Sequence, residues 1–173
     1  MMQAVGETRF VADAEHYESV LLAAAQARRM LWLGTADIKD LYMEGEKPFL
    51  GTLAGLLRRG VEVRLIHAKE PGPNFRADFD HYPTLAQRLE RVLCPRVHFK
   101  LLIVDEQLAY IGSANLTGAG MGMKSSRRRN FEAGILTTAP ALVAAAMEEF
   151  DKVWRGSACP NCARRNLCPD PLA

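Results

Sequence analysis

His98 and Lys100 are the residues whose types and spacing first indicate chemistry in this chain. Asp105 follows five residues after Lys100, and Gly112-Ser-Ala-Asn115 begins seven residues after Asp105. A phosphodiester is anionic and its phosphorus is a poor electrophile. An enzyme that opens it without a metal ion needs a nucleophile, cations on the non-bridging oxygens and an acid for the leaving alcohol. Imidazole can serve as the nucleophile and lysine as the cation, so the pattern indicates phosphoryl transfer.

A β-hairpin is the element expected to position these two side chains. Residues 96–111, RVHFKLLIVDEQLAYI, are rich in β-branched and aromatic residues and are interrupted at 105–107. This pattern predicts two strands joined by a turn. On the first strand His98 and Lys100 stand two residues apart and would point to the same face of the sheet.

The remaining residues of the pattern are expected to brace the hairpin or to contact phosphate. Asp105 falls at odd spacing from His98, at the strand end, which favours a bracing role over a catalytic one. Gly112 allows the backbone to approach closely. Ser113 and Asn115 add short donors where a helix could begin, a favourable place for a phosphate.

The pattern resembles, residue by residue, the H-x-K-x4-D-x6-G-S-x-N motif of the phospholipase D superfamily. The matching residues are His98, Lys100, Asp105, Gly112, Ser113 and Asn115. The resemblance implies a covalent phosphohistidine intermediate, with the histidine of a second motif protonating the leaving group. It also implies an acidic residue downstream that holds the nucleophilic imidazole, and Glu132 is similar to that residue. The resemblance extends over residues 8–154 and is specific over residues 98–132.

Only one such motif is present in the sequence. His67-Ala-Lys69 also reads H-x-K after an apolar stretch, but neither the aspartate nor Gly-Ser-x-Asn follows it. We interpret it as a histidine at a strand end followed by an exposed lysine. Because the implied chemistry uses two motifs, the chain is expected to form a symmetric homodimer with the active site on its two-fold axis. The hydrolysis itself would need no metal.

Length and composition are compatible with one catalytic domain. The chain has 173 residues, 49% of them hydrophobic, and a net charge of +2, which permits a nucleic-acid partner without requiring one. No apolar run of signal-peptide length occurs near the N-terminus, and the longest apolar stretch, residues 139–147, is too short to span a bilayer. These features predict a cytoplasmic protein without a membrane partner.

Predicted strands and helices alternate along the chain. Strands are expected over residues 8–11, 30–33, 61–66 and 130–137, helices over 13–29, 47–59, 84–93 and 140–154, and a long loop over 68–82. This order predicts an α/β fold, a mixed β-sheet flanked by helices on both faces, as the resemblance to phospholipase D also implies. Residues 1–155 are assigned to the catalytic domain and 156–173 to a cysteine-rich tail.

A basic segment separates the motif from Glu132. Glycines at 118, 120 and 122 are expected to make it pliable. Its cations lie close to the predicted phosphate site: Lys124, Arg127, Arg128 and Arg129. A glycine-rich basic loop suits a polyanionic backbone. A mobile, solvated charge run is the alternative interpretation.

Three cysteines in the tail are spaced C-x2-C-x5-C, and the fourth lies far upstream before a proline. They are Cys159, Cys162, Cys168 and Cys94. In a cytoplasmic chain such a set favours a metal over disulfides. Four thiolates could hold zinc or a [4Fe-4S] cluster. The spacing is similar to the iron-sulfur clasp of certain RecB-like exonucleases, which have another fold, so a cluster is favoured, with structural zinc or reduced thiols on a floppy tail as alternatives.

The substrate class is the most open expectation. Phospholipases, phosphatidyl transferases and nucleases of the superfamily share the motif. The short, single-motif architecture resembles the small dimeric endonucleases of the family, and together with the basic segment it favours DNA or RNA. The absence of an amphipathic anchor in the sequence disfavours lipid. The alternatives are a lipid phosphodiesterase or transferase and a non-catalytic nucleic-acid binding module. His16 and His81 are interpreted as surface or helix-packing residues.

Overall fold

The computed structural model describes residues 6–39 and 41–172, and a seven-stranded mixed sheet forms its centre. The strands are β1 (Thr8–Ala12), β2 (Met30–Thr35), β3 (Ile38–Lys39), β4 (Tyr42–Met43), β5 (Lys47–Pro48), β6 (Glu62–His67), β7 (Glu90–Leu93), β8 (Lys100–Val104), β9 (Leu108–Gly112), β10 (Leu116–Thr117) and β11 (Ala133–Thr137). The order in the large sheet is β1-β11-β9-β8-β2-β6-β7. The sequence predicted a domain over residues 1–155 and a tail over residues 156–173. Residues 1–5 and 40 of that domain and residue 173 of that tail lie outside the described residues.

The helices precede or follow these strands in an alternating order. A π-helical segment (His16–Leu21) continues into α1 (Leu22–Ala25), and α2 (Phe49–Arg58), α3 (Pro73–Asp80), α4 (Pro83–Arg88), α5 (Pro140–Trp154) and a 3-10 turn (Arg165–Leu167) follow. Proline occupies the first turn of α3, α4 and α5, where its missing N–H costs no hydrogen bond. Across the described residues, no helix is both long enough and apolar enough to cross a membrane.

Strand directions bring the motif to one edge of the sheet. Strands β2, β6 and β7 run parallel, and β8 lies antiparallel beside β2. The first residue of β8, Lys100, therefore lies beside the carboxyl ends of the parallel strands and opposite Gly112, the last residue of β9. Strand β11 begins at the same edge, with Gly134 opposite Gly112. We call this edge the motif edge.

Helices cover both faces of the sheet. Side chains alternate along β2, so Leu31 and Leu33 belong to one apolar cluster with residues of α1, α2, α3 and α4, while Met30 and Trp32 belong to another with α5. Trp32 stacks on Phe150 of α5 at a ring-centroid distance of 4.9 Å. The predicted fold class, a mixed sheet between two layers of helix, is confirmed.

Three sequence-based element boundaries were wrong. The expected loop over 68–82 contains α3, which buries Phe75 in the core. The expected helix over 84–93 ends at Arg88, because the next residues pair with β6 as the parallel strand β7. The expected helix over 13–29 spans only residues 16–25, and its first part is π-helical.

Candidate active site

His98 and Lys100 lie together at the motif edge, although not in the predicted way. A turn at Pro95-Arg96 delays the strand, so β8 begins only at Lys100 and His98 precedes it. The Lys100 Nζ donates a hydrogen bond to the His98 carbonyl oxygen at 2.8 Å and lies 3.4 Å from the imidazole Nδ1. The pair therefore combines an exposed imidazole with a lysine that is only 7% exposed.

The environment of Lys100 alters its protonation. Burial lowers the pKa of the ammonium group below its ordinary value, and the nearby Glu132 carboxylate opposes part of that change. Lys100 is therefore a desolvated cation beside an exposed imidazole. Such a cation interacts strongly with an incoming anion, because little water screens it.

Glu132 contacts a different member of the motif from the one that the family resemblance implies. Its carboxylate accepts a short hydrogen bond from the Ser113 hydroxyl and another from Asn130 Nδ2 at 2.9 Å. The Ser113 Oγ in turn accepts a hydrogen bond from the Ala133 N–H at 3.1 Å. Among the described residues, the Glu132 side chain has no hydrogen bond with His98. Glu132 thus holds Ser113 at the motif edge and places its charge near Lys100.

Asn115 ties the motif to the loop that follows β2. Its Oδ1 accepts hydrogen bonds from the backbone N–H groups of Ala36 (3.1 Å) and Asp37 (3.2 Å). Because two N–H donors face this atom, it must be the amide oxygen. Its amide nitrogen has no partner among the described residues and can donate to a ligand. The expected helix start is wrong here, since β10 follows Asn115 and pairs with β3 instead.

Asp105 braces the hairpin from the opposite edge of the sheet. The carboxylate accepts hydrogen bonds from the backbone N–H groups of Arg28 (3.0 Å), Arg29 (2.7 Å) and Met30 (3.0 Å). Burial alone would raise the pKa of Asp105, but these three hydrogen bonds outweigh it and hold the pKa below its ordinary value. Asp105 itself adopts a left-handed backbone conformation, with φ +53°. It fixes β8 against the start of β2 and lies away from the imidazole.

A buried His16–Tyr110 pair supports the motif from beneath, and sequence reasoning missed it. The Tyr110 hydroxyl contacts His16 Nε2 at 2.9 Å and accepts a hydrogen bond from the Ala114 N–H at 3.2 Å. His16 Nδ1 lies 2.9 Å from the Asp13 carbonyl oxygen, which can only accept, so Nδ1 carries the proton and Nε2 accepts from Tyr110. Asp13 Oδ1 accepts from the Glu132 N–H at 3.2 Å. One chain of hydrogen bonds thus links the backbones at Ala114 and Glu132.

Two glycines make room for Tyr110. A Cβ at Gly112 would lie 2.3 Å from the Tyr110 hydroxyl oxygen, and one at Gly134 would lie 2.6 Å from the ring. These glycines are directly opposite each other on β9 and β11. Burial raises the pKa of Tyr110 to about 12, so its hydroxyl stays protonated near neutral pH. Glycines at both positions therefore leave the space that the Tyr110 side chain occupies.

The basic loop, residues 118–130, begins and ends at the motif edge. Its cations form no ion pair or side-chain hydrogen bond within the part of the chain that the structure describes: Lys124, Arg127, Arg128 and Arg129. Gly120 and Gly122 are closely packed and not pliable, because a Cβ at Gly120 would lie 2.6 Å from the Asn115 carbonyl oxygen and one at Gly122 would lie 2.7 Å from Ala14. The first half of the loop is closely packed, and its cationic half is exposed.

The second H-x-K segment has none of these features. His67 ends β6 and is 1% exposed, and its Nδ1 contacts the Lys69 carbonyl oxygen at 2.7 Å. Burial lowers the pKa of His67, with that carbonyl partly opposing the change. Lys69 is exposed. The interpretation of a strand-end histidine followed by an exposed lysine is confirmed.

The four cysteines line one cavity of about 180 Å³, which we call the cysteine pocket. Three come from the tail after α5 and one, Cys94, directly follows β7. His98 and Phe99 line the same cavity. All four cysteines are free thiols. A backbone N–H at Arg164, and then the guanidinium of Arg96, lower the pKa of the Cys162 thiol.

The cysteine pocket does not have the geometry of a closed single-ion site. No three His, Cys, Asp or Glu side chains within residues 6–39 and 41–172 are placed to hold one metal ion. The thiols therefore surround a common space without converging on a single point.

Comparison with known proteins places the chain among phosphodiester-processing enzymes and their relatives. A family model described as "Cardiolipin synthase, PLD-like domain" matches residues 22–154. Cardiolipin synthase 1 from Staphylococcus aureus (strain MRSA252) is 24% identical over 127 residues, which are 66% of this chain and 25% of that protein. The chain thus spans about a quarter of the length of the curated relatives that it matches.

Solved structures share the fold at low sequence identity. NucT from Helicobacter pylori aligns with a TM-score of 0.63 and 15% identity over 86% of this chain and 96% of that one. Nuc from Salmonella typhimurium, described as a phospholipase D family member, aligns with a TM-score of 0.60 and 19% identity over 97% of this chain and 99% of that one. TrmBL2, described as an archaeal chromatin protein with a novel mode of DNA binding, aligns with a TM-score of 0.59 and 16% identity over 85% of this chain and 51% of that one.

Proposed function

Since the chain belongs to the phospholipase D superfamily, whose members act on phosphodiester bonds, we propose that it is a homodimeric nuclease that uses His98 as its nucleophile. The observation that carries the proposal is the pairing of an exposed His98 imidazole with the desolvated Lys100 cation at the motif edge. A nucleophile and a phosphate-binding cation are the two groups that the first half of the reaction requires.

The first chemical step makes a covalent intermediate. An imidazole nitrogen of His98 forms a bond to phosphorus while the bond from phosphorus to the leaving oxygen breaks. The Lys100 ammonium offsets the charge that develops on the non-bridging oxygens, and the free amide nitrogen of Asn115 donates a hydrogen bond to one of them. The leaving oxygen takes a proton from a second imidazole. Water then attacks phosphorus, passes a proton to that second imidazole and releases His98.

The second imidazole comes from a second copy of the chain. The sequence has four histidines, and two of them, His16 and His67, are buried and hydrogen-bonded elsewhere. His81 is exposed and directly follows α3, a helix that packs against α4. A two-fold dimer would bring His98 of each copy to one site and supply both the nucleophile and the acid.

Nucleic acid is the substrate class that the surface beside the site favours. The basic loop presents four cations without partners among the described residues, the usual means of neutralising a phosphate backbone. Phe131, which separates this loop from Glu132, is 95% exposed. An exposed aromatic ring next to cations is a platform on which unpaired bases stack. The DNA binding named for TrmBL2 supports the same class.

Lipid phosphodiesters are the second candidate class. The matching family model and the Staphylococcus aureus relative are both named for cardiolipin synthase, an enzyme of lipid synthesis. The two classes share the phosphohistidine step and differ only in what the surrounding surface binds. Vesicles that contain phosphatidylglycerol therefore belong in the same assay as DNA and RNA.

Cleavage of end-labelled single- and double-stranded DNA in EDTA tests the proposal, with His98→Ala as the inactive variant and exposed His81→Ala as the matched control. We expect wild type and His81→Ala to cut and His98→Ala to be inactive. Head-group transfer in vesicles without cleavage of DNA or RNA would overturn the nuclease assignment. Equal cutting by wild type and His98→Ala would overturn the assignment of His98 as the nucleophile.

Mixed dimers test whether two copies share one site. Wild-type and His98→Ala chains are unfolded together in equal amounts and refolded as a random mixture. If each site needs both histidines, activity should fall to about one quarter of that of the wild type, since only that fraction of dimers carries two. A fall to about one half would show that each chain works alone and would overturn the shared site.

Phe131→Ala tests whether this exposed ring stacks on the substrate or lies in the contact between subunits. Loss of one stacking contact, worth about 1–3 kcal/mol, should raise KM for single-stranded DNA by roughly tenfold while the dimer mass stays unchanged. Leu167→Ala, at a residue 83% exposed on the tail, is the control. A variant that becomes monomeric would place Phe131 in the subunit interface instead.

A further inference from the structure

All four cysteines of the chain lie around one cavity, although they are far apart in sequence. Cys94 follows β7, and the other three follow α5 at the end of the chain. A turn-rich segment carries these three: the Cys162 N–H bonds to the Cys159 carbonyl, and the Cys168 N–H bonds to the Arg165 carbonyl. Cysteines without a common role need no common location, so the presence of the whole set around one cavity indicates a shared ligand.

Contacts between the tail and the domain keep this arrangement in place. Asp170 Oδ2 accepts a hydrogen bond from the Leu93 N–H at 3.2 Å, directly before Cys94. An Arg164 Nη1 donates to the Pro95 carbonyl oxygen at 3.3 Å, directly after it. Two tail residues thus bind the backbone on either side of Cys94. The tail is docked where the upstream cysteine is, which a tail of unrelated thiols would not require.

Charges around the pocket suit an anionic centre. Arg96 Nη1 lies 3.5 Å from Cys162 Sγ, and both Arg164 and Arg165 lie beside the same cysteines. Four thiolates carry four negative charges, more than one divalent ion neutralises. Nearby guanidinium groups offset the remainder, because opposite charges at this distance attract even through solvent.

We propose that the cysteine pocket binds an iron-sulfur cluster of the [4Fe-4S] type through Cys94, Cys159, Cys162 and Cys168. Zinc fits the observations less well. A zinc ion with four thiolates at about 2.3 Å draws the sulfurs to within about 4 Å of one another. No three ligating side chains in the described part of the chain are placed to share one ion, although all four cysteines line one cavity. In a cluster each thiolate binds a different iron atom, so the four sulfurs need not meet at a single ion.

The site has a consequence for the segment that carries His98. Residues 94–99 pair with no strand, and His98 and Phe99 line the cysteine pocket together with Cys94. A cluster bound to Cys94 would fix one end of this segment, as Lys100 in β8 fixes the other. Loss of the cluster would loosen the position of the imidazole. This effect on catalysis rests on the proposed function, but the metal site does not.

Metal analysis of the anaerobically purified 173-residue chain tests the site independently of any activity. We expect about four iron and four sulfide per chain with a broad visible absorption band. Cys94→Ser and Cys162→Ser should each lose both iron and absorption. Asn166→Ser, at an exposed tail position, is the matched control and should keep both. If a serine variant does not fold, chelation of the wild-type protein followed by reconstitution with iron and sulfide gives the same readout.

Each outcome decides one part of the proposal. About one zinc per chain and no iron would overturn the cluster. Full iron content in Cys94→Ser would overturn the four-cysteine ligand set. No stoichiometric metal, either as purified or after reconstitution, would overturn the site. If the cysteine variants lose the cluster but the metal-loaded wild type shows no nuclease activity, the metal site would stand and only the proposed function would be overturned.

Discussion

The phospholipase D-type motif and the cysteine pocket are neighbours at one edge of the sheet, but they are held in different ways. The motif rests on the sheet: Lys100 is buried in β8, and Asp105 and Asn115 each accept backbone N–H groups from the segments flanking β2. The tail that carries three cysteines contributes no strand. Among the described residues its docking depends on polar contacts such as that of Asp170, together with packing of Leu172.

This contrast indicates which region is organised by the fold and which by a ligand. The buried hydrogen bonds of Tyr110 beneath the motif form when the sheet forms, because leaving them unmade costs about 1–3 kcal/mol each. Partly exposed contacts of the tail are worth less and open more easily. We therefore expect strands β8 and β9 to keep their geometry without any bound group, and the tail, together with the segment that carries His98, to depend on the proposed metal.

Replacement of His98, the proposed nucleophile, should have the largest effect. His98→Ala should lower the phosphodiesterase rate by about 10³-fold or more, since a covalent step loses its attacking group. The thermal midpoint should stay within about 1 °C, because the His98 side chain is exposed. Cleavage rates and calorimetry on one preparation measure both quantities.

His67 provides the reverse pattern for comparison. His67→Gln should retain most of the activity and lower the thermal midpoint, because it removes a buried ring bonded to a backbone carbonyl. If both variants lost activity equally, the two H-x-K segments would share the chemistry. The distinction drawn from burial would then be wrong.

Removal of the Tyr110 hydroxyl should have the next largest effect. Tyr110→Phe leaves His16 Nε2 and the Ala114 N–H without their buried partner, which costs about 1–3 kcal/mol in the free energy of unfolding. It should also lower kcat by roughly tenfold, since Ser113 and Glu132 lose a common support. Denaturant unfolding and kinetics measure the two effects.

Tyr82→Phe is the matched control for that variant. The Tyr82 side chain packs against the same apolar cluster, and its hydroxyl has no hydrogen bond among the described residues. We expect its unfolding free energy to change by less than about 0.5 kcal/mol. Equal losses in both variants would mean that the tyrosine ring, and not its hydroxyl, supports the motif.

Metal removal tests the contrast between the motif strands, which the sheet holds, and the tail, which the proposed metal holds. In the chelated protein, amides of residues 156–172 should exchange roughly tenfold faster than in the metal-loaded protein, because the tail opens locally. Amides of β8 and β9 should keep their protection. Hydrogen exchange followed by mass spectrometry resolves these segments. Faster exchange in β8 as well would show that the motif too depends on the metal, and the contrast would fail.

Much of the fold could be predicted from sequence, because its strands and longer helices carry strong local signals. The hairpin was found from β-branched residues around the Asp105 turn, and α5 matches the predicted range 140–154. The strand β7 was missed because Glu90–Leu93 is short, and only its pairing with β6 distinguishes it from the end of a helix. Tertiary pairing, and not local propensity, decides such a segment.

The site was predictable in its residue types and less so in its contacts. The motif spacing located His98 and Lys100, yet the turn at Pro95-Arg96 that delays β8 was not foreseen. The His16–Tyr110 pair joins residues 94 positions apart. No periodicity connects such residues, and His16 in isolation is indistinguishable from a helix-packing histidine. Contacts of this kind follow from the fold and cannot be read from spacing.

The smallest expected effect concerns the brace at Asp105. Its pKa lies below the ordinary value in the folded protein, so the charged carboxylate contributes stability that is present above about pH 4, the ordinary pKa of aspartate, and is lost as pH falls through the folded pKa. Asp105→Asn should cost about 1 kcal/mol at neutral pH, a value reduced by solvent screening of a partly exposed group.

The stability gap between wild type and Asp105→Asn should therefore begin to narrow as pH falls below about 4 and should close only below the folded pKa of Asp105, where both side chains are neutral. Urea unfolding between pH 7 and the acid limit of the fold measures this gap, with Asp80→Asn, at an exposed position of α3, as the control. A gap that stays constant with pH would mean that the shape of the Asp105 side chain, and not its charge, holds the backbone at Arg28–Met30.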